Sequence, residues 1–379
     1  MQSFTEQMRS FCACARRMGV DSPALTELTG TAASPCTALV TGDFKTGKST
    51  FINAWVGKTM MASRNYVCTN VIATVEFGTN TDTARIVYTD REPVTMSLER
   101  FNKELTISEA DQQLLENVGR LDRFDNISHV EMQSDAPFFA DGMRLVDTPG
   151  FSERHTPAAK AVSVFASQAD AIIFIMSAVS LFSDKEKAYI TENFVGRGLC
   201  NVFFVINRID NLTPGELAGI IPYVRSGLAE VFTDRDGNFD EELYSKRVFF
   251  TNAYGAECIR TGKPYCPMAV KKPAKAPLEL EETGLPEFER VFAAYREECR
   301  CRRELTLAAA VYRQALEQLK GGAKQPYPNA GHARRGEIPM EANVFPQLWS
   351  MREPLCAAFE AVYGYEPSDA ELLYVSQQL

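Results

Sequence analysis

The stretch TGDFKTGKST, residues 41–50, contains a phosphate-binding pattern. Gly42 is followed, after four residues, by Gly-Lys-Ser at 47–49, which matches the P-loop pattern in full. A P-loop binds phosphate because successive backbone N–H groups converge on phosphate oxygens at the N-terminus of a helix. In this pattern Lys48 reaches the β- and γ-phosphates, and the Ser49 hydroxyl binds Mg²⁺. The predicted phosphate contacts are Gly42, Asp43, Phe44, Lys45, Thr46, Gly47, Lys48, Ser49 and Thr50.

Strand and helix patterns alternate around this loop. Short apolar runs, such as NVFFVIN at 201–207, alternate with helical patterns such as STFINAWVG at 49–57 and a further one at 158–168. This alternation predicts βαβ units and a mostly parallel sheet covered by helices, which is an α/β fold. The last strand pattern, RVFFTNAYG at 247–255, precedes a Pro- and Lys-rich segment at 258–284 that we interpret as a surface loop.

The sequence LVDTPG at 145–150 carries a second nucleotide-binding signal. Asp147 follows a buried-strand pattern, and Gly150 closes the turn after it. Downstream of a P-loop, this pattern places the carboxylate near Mg²⁺, usually through water, and the glycine N–H near the γ-phosphate. We therefore predict that Asp147 binds the metal together with Ser49, and that Gly150 contacts the reacting phosphate.

The sequence VINRID at 205–210 indicates which base is bound. Asn207 and Asp210 match the guanine-reading pattern Asn-Lys-x-Asp, with Arg208 in place of the usual Lys. A carboxylate accepts hydrogen bonds from guanine N1–H and the 2-amino group. Adenine offers neither donor and would leave the buried carboxylate unpaired, so its rejection can be steep. We therefore predict GTP and GDP rather than ATP, with a further base contact near Asn252 after the last strand.

One threonine between the P-loop and the LVDTPG motif is expected to coordinate Mg²⁺ and to sense the γ-phosphate. The candidates are Thr59, Thr69 and Thr74. Thr69 lies after a loop-like stretch and just before a strand pattern, where a mobile switch segment would end. We favour Thr69 by sequence order, with Thr74 second.

Amphipathic helices flank the nucleotide-binding region. An N-terminal helix is predicted because apolar residues recur at spacings of four and three, and Gly19 suits its C-cap. A long helix with the same period is predicted at 286–320. The two apolar stripes pack either on each other or separately on the main domain, and the sequence leaves both arrangements open. The stripes comprise Phe4, Met8, Phe11, Ala15 and Met18 in the first helix, and Phe288, Phe292, Tyr295, Cys299, Leu305, Ala309, Tyr312, Leu316 and Leu319 in the second.

Composition and charge are those of an ordinary globular protein, with 379 residues of which 45% are hydrophobic and 23% charged. The net charge of −9 argues against general nucleic-acid binding. The ten cysteines show no regular disulfide framework and the N-terminus lacks a secretory signal, so we expect reduced thiols in a cytoplasmic protein. No apolar run approaches the ~18 residues of a membrane span, so we expect any membrane contact to be peripheral.

With these motifs the chain resembles the dynamin-like GTPases, especially the bacterial ones, over residues 4–320. The run GDFKTGKSTFINAWVG (42–57) is similar to the family's P-loop run, and VCTNVIATVEFG (67–78) to its switch threonine and following strand. PFFADGMRLVDTPGF (137–151) resembles the strand that enters its Asp-x-Pro-Gly turn. The resemblance implies a large Mg²⁺-dependent GTPase that dimerises through its nucleotide face, works on membranes and joins its flanking helices in a neck bundle. It also implies catalysis without an activating glutamine after the turn, and Phe151 at that place is consistent with this.

Three features depart from the family pattern. Many members carry Ser at the place of Lys45, and that Ser helps to hold a monovalent cation beside the phosphates. We hypothesise that the Lys45 ammonium supplies this charge; the alternative is that it points into solvent. Arg208 is the second departure. The third is that a long helical stalk is not evident after residue 320, so the chain is truncated, the stalk comes from a partner, or the protein does not polymerise.

These observations predict four regions: an N-terminal helix and linker at 1–33, a dynamin-type GTPase domain at 34–285, a long neck helix at 286–320, and a linker with a short helical tail at 321–379. The predicted catalytic residues are Lys45, Lys48, Thr69 and Gly150, and the predicted metal ligands are Ser49, Thr69 and Asp147. The leading hypothesis is a GTPase that forms a homodimer and acts at membranes. The alternative is a slow GTP-binding switch that docks a protein partner through its neck helices.

Overall fold

The chain forms two compact units, Pro35–Phe292 and the combination of Met1–Ser34 with Ala293–Leu379. We call them the sheet unit and the helical unit. This computed structural model describes residues 3–30, 36–43, 45–61, 72–104, 126–140, 142–148, 169–195, 201–234, 236–266, 277, 279–322 and 346–375.

A nine-stranded sheet, counted over the described residues, forms the centre of the sheet unit. Its strands are β1 (Cys36–Gly42), β2 (Ala73–Phe77), β3 (Thr83–Tyr88), β4 (Val94–Ser97), β5 (Ile127–Ser134), β6 (Met143–Asp147), β7 (Ala171–Ser177), β8 (Val202–Asn207) and β9 (Val248–Thr251). Their order across the sheet is β4-β3-β5-β2-β6-β1-β7-β8-β9. The strands β6, β1, β7, β8 and β9 lie side by side in this order, and within this group each strand is parallel to the next. On the other side β2 is antiparallel to β6, and β3 is antiparallel to both β4 and β5.

The helices of the described residues are α1 (Phe4–Arg17), α2 (Pro23–Thr29), α3 (Lys48–Val56), α4 (Leu98–Glu104), α5 (Pro137–Ala140), α6 (Asp184–Asn193), α7 (Pro214–Gly227), α8 (Glu241–Arg247), α9 (Ala253–Thr261), α10 (Leu285–Gly322), α11 (Pro346–Tyr363) and α12 (Asp369–Val375). Helices follow β1, β7, β8 and β9, as the alternation of patterns predicted. The α/β prediction with a mostly parallel sheet is thus confirmed.

The centre of the sheet places the phosphate-binding loop. Every residue of β8 and all of β1 except Cys36 are buried, as expected for parallel strands covered on both faces. The neighbours of β1 are β6 and β7, and the chain crosses from one side of β1 to the other between them. Ligands of open α/β sheets bind outside the carboxyl ends of the strands at such a point. The P-loop leaves the end of β1 at this place.

Three local predictions differ from the structure or lie outside it. The linker that we expected before the P-loop contains α2, which is capped by the Ser22 hydroxyl on the Leu25 N–H. The surface loop expected from Cys258 begins only after α9, because the Asn252 side chain caps a helix that runs through Cys258 to Thr261. The helix predicted at 158–168 lies outside the described residues.

The helical unit has its own hydrophobic core. The buried residues of α1 lie in one cluster with residues from the second half of α10 and from α11 and α12. For the first stripe and the second half of the α10 stripe, this is the packing of the stripes on each other, one of the two arrangements that the sequence left open. The tail, which was expected to be helical but short, contributes an 18-residue helix, α11, to this core. The cluster includes Met8, Phe11, Ala15, Leu305, Tyr312, Leu316, Met351, Leu355, Phe359 and Leu372.

The first turns of α10 belong to the sheet unit instead. Phe288 is fully buried, and its ring makes edge contacts with the rings of Phe51, Trp55 and Phe249, at centroid distances of 5.1, 5.0 and 5.4 Å. Such aromatic pairs add about 0.5–1.5 kcal/mol each beyond the area that they bury. Phe288 therefore joins α10 to the helix that follows the P-loop.

We predict that Phe288→Ala destabilises the sheet unit by about 3–5 kcal/mol, because it leaves a cavity among these rings. The melting temperature of the sheet-unit transition, followed by circular dichroism, is expected to fall by about 10 °C. Phe77→Ala is the matched control, since Phe77 is 51% exposed. Equal melting temperatures for the two variants would contradict the assignment of this cluster as the core.

Candidate nucleotide-binding site

Two glycines give the loop between β1 and α3 its shape. Gly47 has φ of +93°, in the left-handed region, and a Cβ there would lie 2.4 Å from Nδ2 of Asn207. Gly42 has φ of +152°, and a Cβ there would lie 2.2 Å from the Ile175 carbonyl oxygen. A side chain at either position would therefore push the loop off β7 or β8. Gly42 and Gly47 are therefore needed because the loop backbone passes so close to Ile175 and Asn207.

The Lys48 side chain lies inside the loop. It is 5% exposed, and its Nζ donates to the carbonyl oxygens of Gly42, at 3.1 Å, and Asp43, at 2.9 Å. Thr46 is also buried, and its hydroxyl donates to the same Asp43 carbonyl at 3.0 Å. These contacts hold the ammonium at the place where a P-loop cradles phosphate oxygens. By contrast, Lys45 is exposed and has a positive φ of 63°.

Asp147 and Ser49 meet across the P-loop and the end of β6. The Ser49 hydroxyl donates to Asp147 Oδ2 at 3.4 Å. Oδ1 of Asp147 is buried and has no hydrogen-bond partner among the described residues. Burial raises the pKa of the Asp147 carboxyl to about 6, against the opposing effects of the Lys48 ammonium and the Ser49 hydrogen bond. A hydroxyl and an unpaired carboxylate oxygen are donors of the kind that Mg²⁺ prefers, so these residues fit the predicted metal.

The structure distinguishes some of the three threonines that were candidates for binding Mg²⁺. Thr59 follows α3 at its far end, about 10 Å of helix away from Ser49, and its hydroxyl donates to Glu257 Oε1 at 3.3 Å. Thr59 therefore cannot be the metal-binding threonine. Thr74 lies within β2, and its hydroxyl donates to the Val130 carbonyl at 3.4 Å. The favoured Thr69 lies outside the described residues, as do Phe44, Gly150 and Phe151.

The Asn207 side chain connects three parts of the site. Its Nδ2 donates to the Thr46 carbonyl at 3.0 Å. Its Oδ1 accepts from the Ala253 N–H at 3.0 Å and from the Thr251 hydroxyl at 3.2 Å. The sequence placed Asn207 in the base-reading motif; in the structure its amide fixes the P-loop to the ends of β8 and β9.

Arg208 also holds the P-loop from the outside. It has φ of +70°, and its NH1 donates to the Lys45 carbonyl at 3.2 Å. The guanidinium of the residue that departs from the usual Lys thus reaches the loop backbone. Arg208 also favours ionisation of the Asp210 carboxyl, although more weakly than burial opposes it.

Asn252 lies at the expected place but is engaged within the protein. Its Oδ1 caps α9 by accepting from the Gly255 N–H at 2.8 Å, and its own N–H donates to the Thr283 carbonyl at 2.8 Å. The Ala253 N–H is held by Asn207, so contact with guanine O6 through either N–H requires a change of partner. A nucleotide contact at Asn252 stays a prediction.

Asp210 lies in a short 3₁₀ turn, Ile209–Asn211, directly after β8. Burial raises the pKa of its carboxyl, and hydrogen bonds from its own backbone and from Tyr265 oppose this rise. The Tyr265 hydroxyl donates to Asp210 Oδ2 at 3.3 Å. Sequence reasoning missed Tyr265, because 55 residues separate it from Asp210 and it follows a helix in a segment that carries no motif.

A second missed group anchors the chain after α3. Asn53 Oδ1 accepts from the N–H groups of Met60 and Met61, at 3.0 and 2.9 Å. Its Nδ2 donates to Oε1 of Glu257, a 2% exposed carboxylate on α9, at 3.4 Å. The chain that leads toward Thr69 therefore begins from a fixed point on α9. A buried Asn in the middle of an apolar helix was the available signal.

This geometry is that of a P-loop nucleotide-binding domain, with a phosphate loop, a carboxylate at the adjoining strand that fits the predicted metal, and a half-buried carboxylate after β8. Residues 38–209 match the family model described as the dynamin family. Over these residues, which are somewhat less than half of the chain, the protein is similar to the dynamin family.

Individual relatives agree with this assignment. A bacterial dynamin-like protein of Nostoc punctiforme is 25% identical over 260 residues, which cover 66% of this chain and 35% of the relative. Dynamin-like protein 1 of Campylobacter jejuni is 21% identical over 229 residues, covering 54% of this chain and 31% of the relative. A solved structure from an oligomerised bacterial dynamin pair, reported to provide a mechanism for long-range sensing and tethering of membranes, has the same fold. Its TM-score is 0.56 at 18% identity, over 85% of this chain and 48% of that one.

We predict that Asp147→Asn stabilises the protein at pH 8 when nucleotide and metal are removed with EDTA. The folded-state pKa lies above the ordinary Asp value of about 4, so the folded protein retains a proton that the unfolded chain releases between about pH 4 and pH 6. Wild-type stability is therefore lost as pH rises through this window, on the order of 2 kcal/mol, whereas Asn does not titrate.

Melting temperatures at pH 4.5 and pH 8 check this expectation. The difference between Asp147→Asn and wild type is expected to be larger at pH 8, with Glu230→Gln as an exposed-carboxylate control that shows no such change. Saturating GDP with Mg²⁺ is expected to reverse the order, because only wild type keeps the metal-binding carboxylate. A pH-independent difference would contradict the raised pKa of Asp147.

Proposed function

We propose that this chain binds GTP and hydrolyses it to GDP and phosphate with Mg²⁺. The observation that carries the proposal is that Asp210 and the P-loop are joined through one side chain: Asn207, three residues before Asp210, bonds to the Thr46 carbonyl. A base on Asp210 and phosphates on the P-loop are thus supported by one rigid element. GTP is favoured over ATP because adenine would leave the Asp210 carboxylate without donors.

Positioning and electrostatic stabilisation supply most of the rate enhancement in phosphoryl transfer. Lys48 would exchange its two carbonyl contacts for phosphate oxygens, where its charge offsets the negative charge that develops on the γ-phosphoryl group. Asp147 and Ser49 would hold Mg²⁺, which would offset part of the negative charge of the phosphates. Gly150 and Thr69 would complete the contacts around the reacting phosphate. The exposed Lys45 would supply the charge that a monovalent cation provides elsewhere.

The proposal also includes self-association and peripheral membrane contact. They are supported by the solved neighbour, which is reported as an oligomerised pair that tethers membranes. Among the helices that the structure describes, none is both long enough and apolar enough to cross a membrane. We propose that this chain forms a homodimer across its nucleotide face and that a partner or further segment supplies the membrane contact.

A slow GTP-binding switch that docks a partner through its neck helices is less well supported. The α1 stripe and the second half of the α10 stripe, on which that hypothesis depends, are buried against each other and against α11 and α12 within the helical unit. A switch of this kind would need another surface for its partner.

We predict that Lys48→Ala lowers GTP turnover at least about 100-fold, because it removes a preorganised positive charge from the phosphate site. The measurement is phosphate release at several protein concentrations, with GTP and with ATP, in the presence and absence of anionic liposomes. The GTPase proposal expects little turnover of ATP and a rate per molecule that rises with concentration or with liposomes. Equal ATP turnover would exclude guanine reading, and a flat, very slow rate would favour the switch.

The role of Asp210 has its own test in Asp210→Asn. The amide Oδ1 still accepts from N1–H, but its Nδ2 is a donor that opposes the guanine 2-amino group and suits the C2 carbonyl of xanthine. We expect kcat/KM for GTP to fall by about 100-fold or more and XTP to become the better substrate. A variant that keeps its preference for GTP would show that Asp210 does not read the base. Asp234→Asn, on an exposed turn, is the matched control.

A further inference from the structure

Tyr265 is the one residue of the described part of the chain whose side chain is hydrogen-bonded to the Asp210 carboxylate. The contact, Oη to Oδ2 at 3.3 Å, joins the turn after β8 to the segment after α9. No motif assigned a role to that segment. The role of this hydrogen bond depends on the other contacts of Tyr265 and Asp210.

The position of Tyr265 is fixed by its neighbours on α9. The Tyr254 hydroxyl donates to the Cys266 carbonyl at 3.1 Å and accepts from the Cys266 N–H at 3.3 Å. The rings of Tyr254 and Tyr265 pack with their centroids 5.3 Å apart. The Cys258 thiol donates to the Pro264 carbonyl at 3.7 Å. The segment therefore returns along α9 and is clamped on both sides of Tyr265.

The Asp210 carboxylate needs such a contact to keep one orientation. The terminal torsion of an Asp side chain is broad, so the carboxylate plane is weakly defined by the chain itself. A carboxylate has about four lone-pair sites, so a hydroxyl on one oxygen leaves room for two donors from a base. Burial and the adjacent Asp210 charge raise the pKa of Tyr265, so its hydroxyl stays a neutral donor at physiological pH.

We propose that Tyr265 is a specificity-determining positioning residue of the base site. Its hydroxyl holds the Asp210 carboxylate in the plane in which both oxygens face the two adjacent donors of guanine, N1–H and the 2-amino group. The proposal rests on the reading of guanine by Asp210. The Tyr265 hydroxyl is expected to matter most for the hydrogen bond from the 2-amino group to Asp210. Two parallel hydrogen bonds require a defined carboxylate plane, whereas a single bond tolerates rotation.

The test compares GDP with IDP, whose hypoxanthine base keeps N1–H but lacks the 2-amino group. Dissociation constants for both are measured by calorimetry with wild type and with Tyr265→Phe, which removes only the hydroxyl. We expect the affinity for GDP to fall about three- to tenfold and that for IDP to fall less, so the preference for GDP over IDP shrinks. Tyr223→Phe, at an exposed position on α7, is the matched control and is expected to leave both affinities unchanged.

A structural role for the hydroxyl predicts a different result. A general loosening of the site would weaken GDP and IDP by the same factor, and an unchanged ratio of the two affinities would overturn the proposal. Tighter GDP binding by Tyr265→Phe would also overturn it, since the hydroxyl would then compete with the base. In an Asp210→Asn background, Tyr265→Phe is expected to have no further effect on the ratio; an undiminished effect there would show that the hydroxyl acts elsewhere.

Failure of this inference is distinguishable from failure of the proposed function. A wild-type protein that binds ADP as tightly as GDP would refute guanine binding, whatever Tyr265 does. A wild-type preference for GDP over ADP together with an unchanged GDP-to-IDP ratio in Tyr265→Phe would refute only the role of Tyr265. Should Tyr265→Phe lower the melting temperature, Tyr254→Phe provides a second route, because it frees the segment and is expected to shrink the same ratio.

Discussion

The nucleotide site depends on the hydrogen bonds of one amide, that of Asn207. It lies at the end of the central strand β8 and bonds to the P-loop on one side and to the start of α9 on the other. The contact is possible only because Gly47 has no Cβ, which would lie 2.4 Å from the amide nitrogen. The phosphate loop and the base loop are therefore not independent, because one buried amide with three hydrogen bonds fixes their separation.

Two charged side chains near this amide are partly or fully removed from solvent, which costs free energy. Lys48 is buried against backbone carbonyls, and Asp147 is buried with one oxygen unpaired among the described residues. An unpaired buried polar atom costs about 1–3 kcal/mol. Bound phosphates and Mg²⁺ would remove these costs, so the burial of these groups would favour ligand binding.

The second carboxylate of the site, Asp210, has a different environment from that of Asp147. Asp210 also has a pKa raised by burial, but it keeps a donor, the Tyr265 hydroxyl. An unpaired oxygen on Asp147 suits the divalent cation that we propose there. A carboxylate that must distinguish one base from another needs a defined orientation instead, because specificity comes from donors that match its plane. The two carboxylates thus have environments that fit two different ligands.

Particular residues show which features followed from the pattern and which did not. The P-loop, Asp147 and Asp210 lie where their spacing predicted, because each follows directly after an apolar strand and parallel strands end at the same edge of the sheet. The helix α9 was missed, and α11 is longer than the short tail helix that was expected. The first is fixed by the cap at Asn252, and the second is held by α1, more than 300 residues away in the chain. Contacts of that range leave no periodic signal in the residues between them.

The sequence by itself determined the α/β order of the elements, the phosphate loop and the places of the two carboxylates Asp147 and Asp210, because each depends on a short run with a fixed local geometry. Only the tertiary structure decided that the Asn207 amide supports the P-loop, that Thr59 bonds to Glu257 far from Ser49 and that the Tyr265 hydroxyl lies on Asp210. These hydrogen bonds join residues that are far apart in the chain and close together only at the edge of the sheet. The local spacing of residues in the sequence does not encode such long-range contacts.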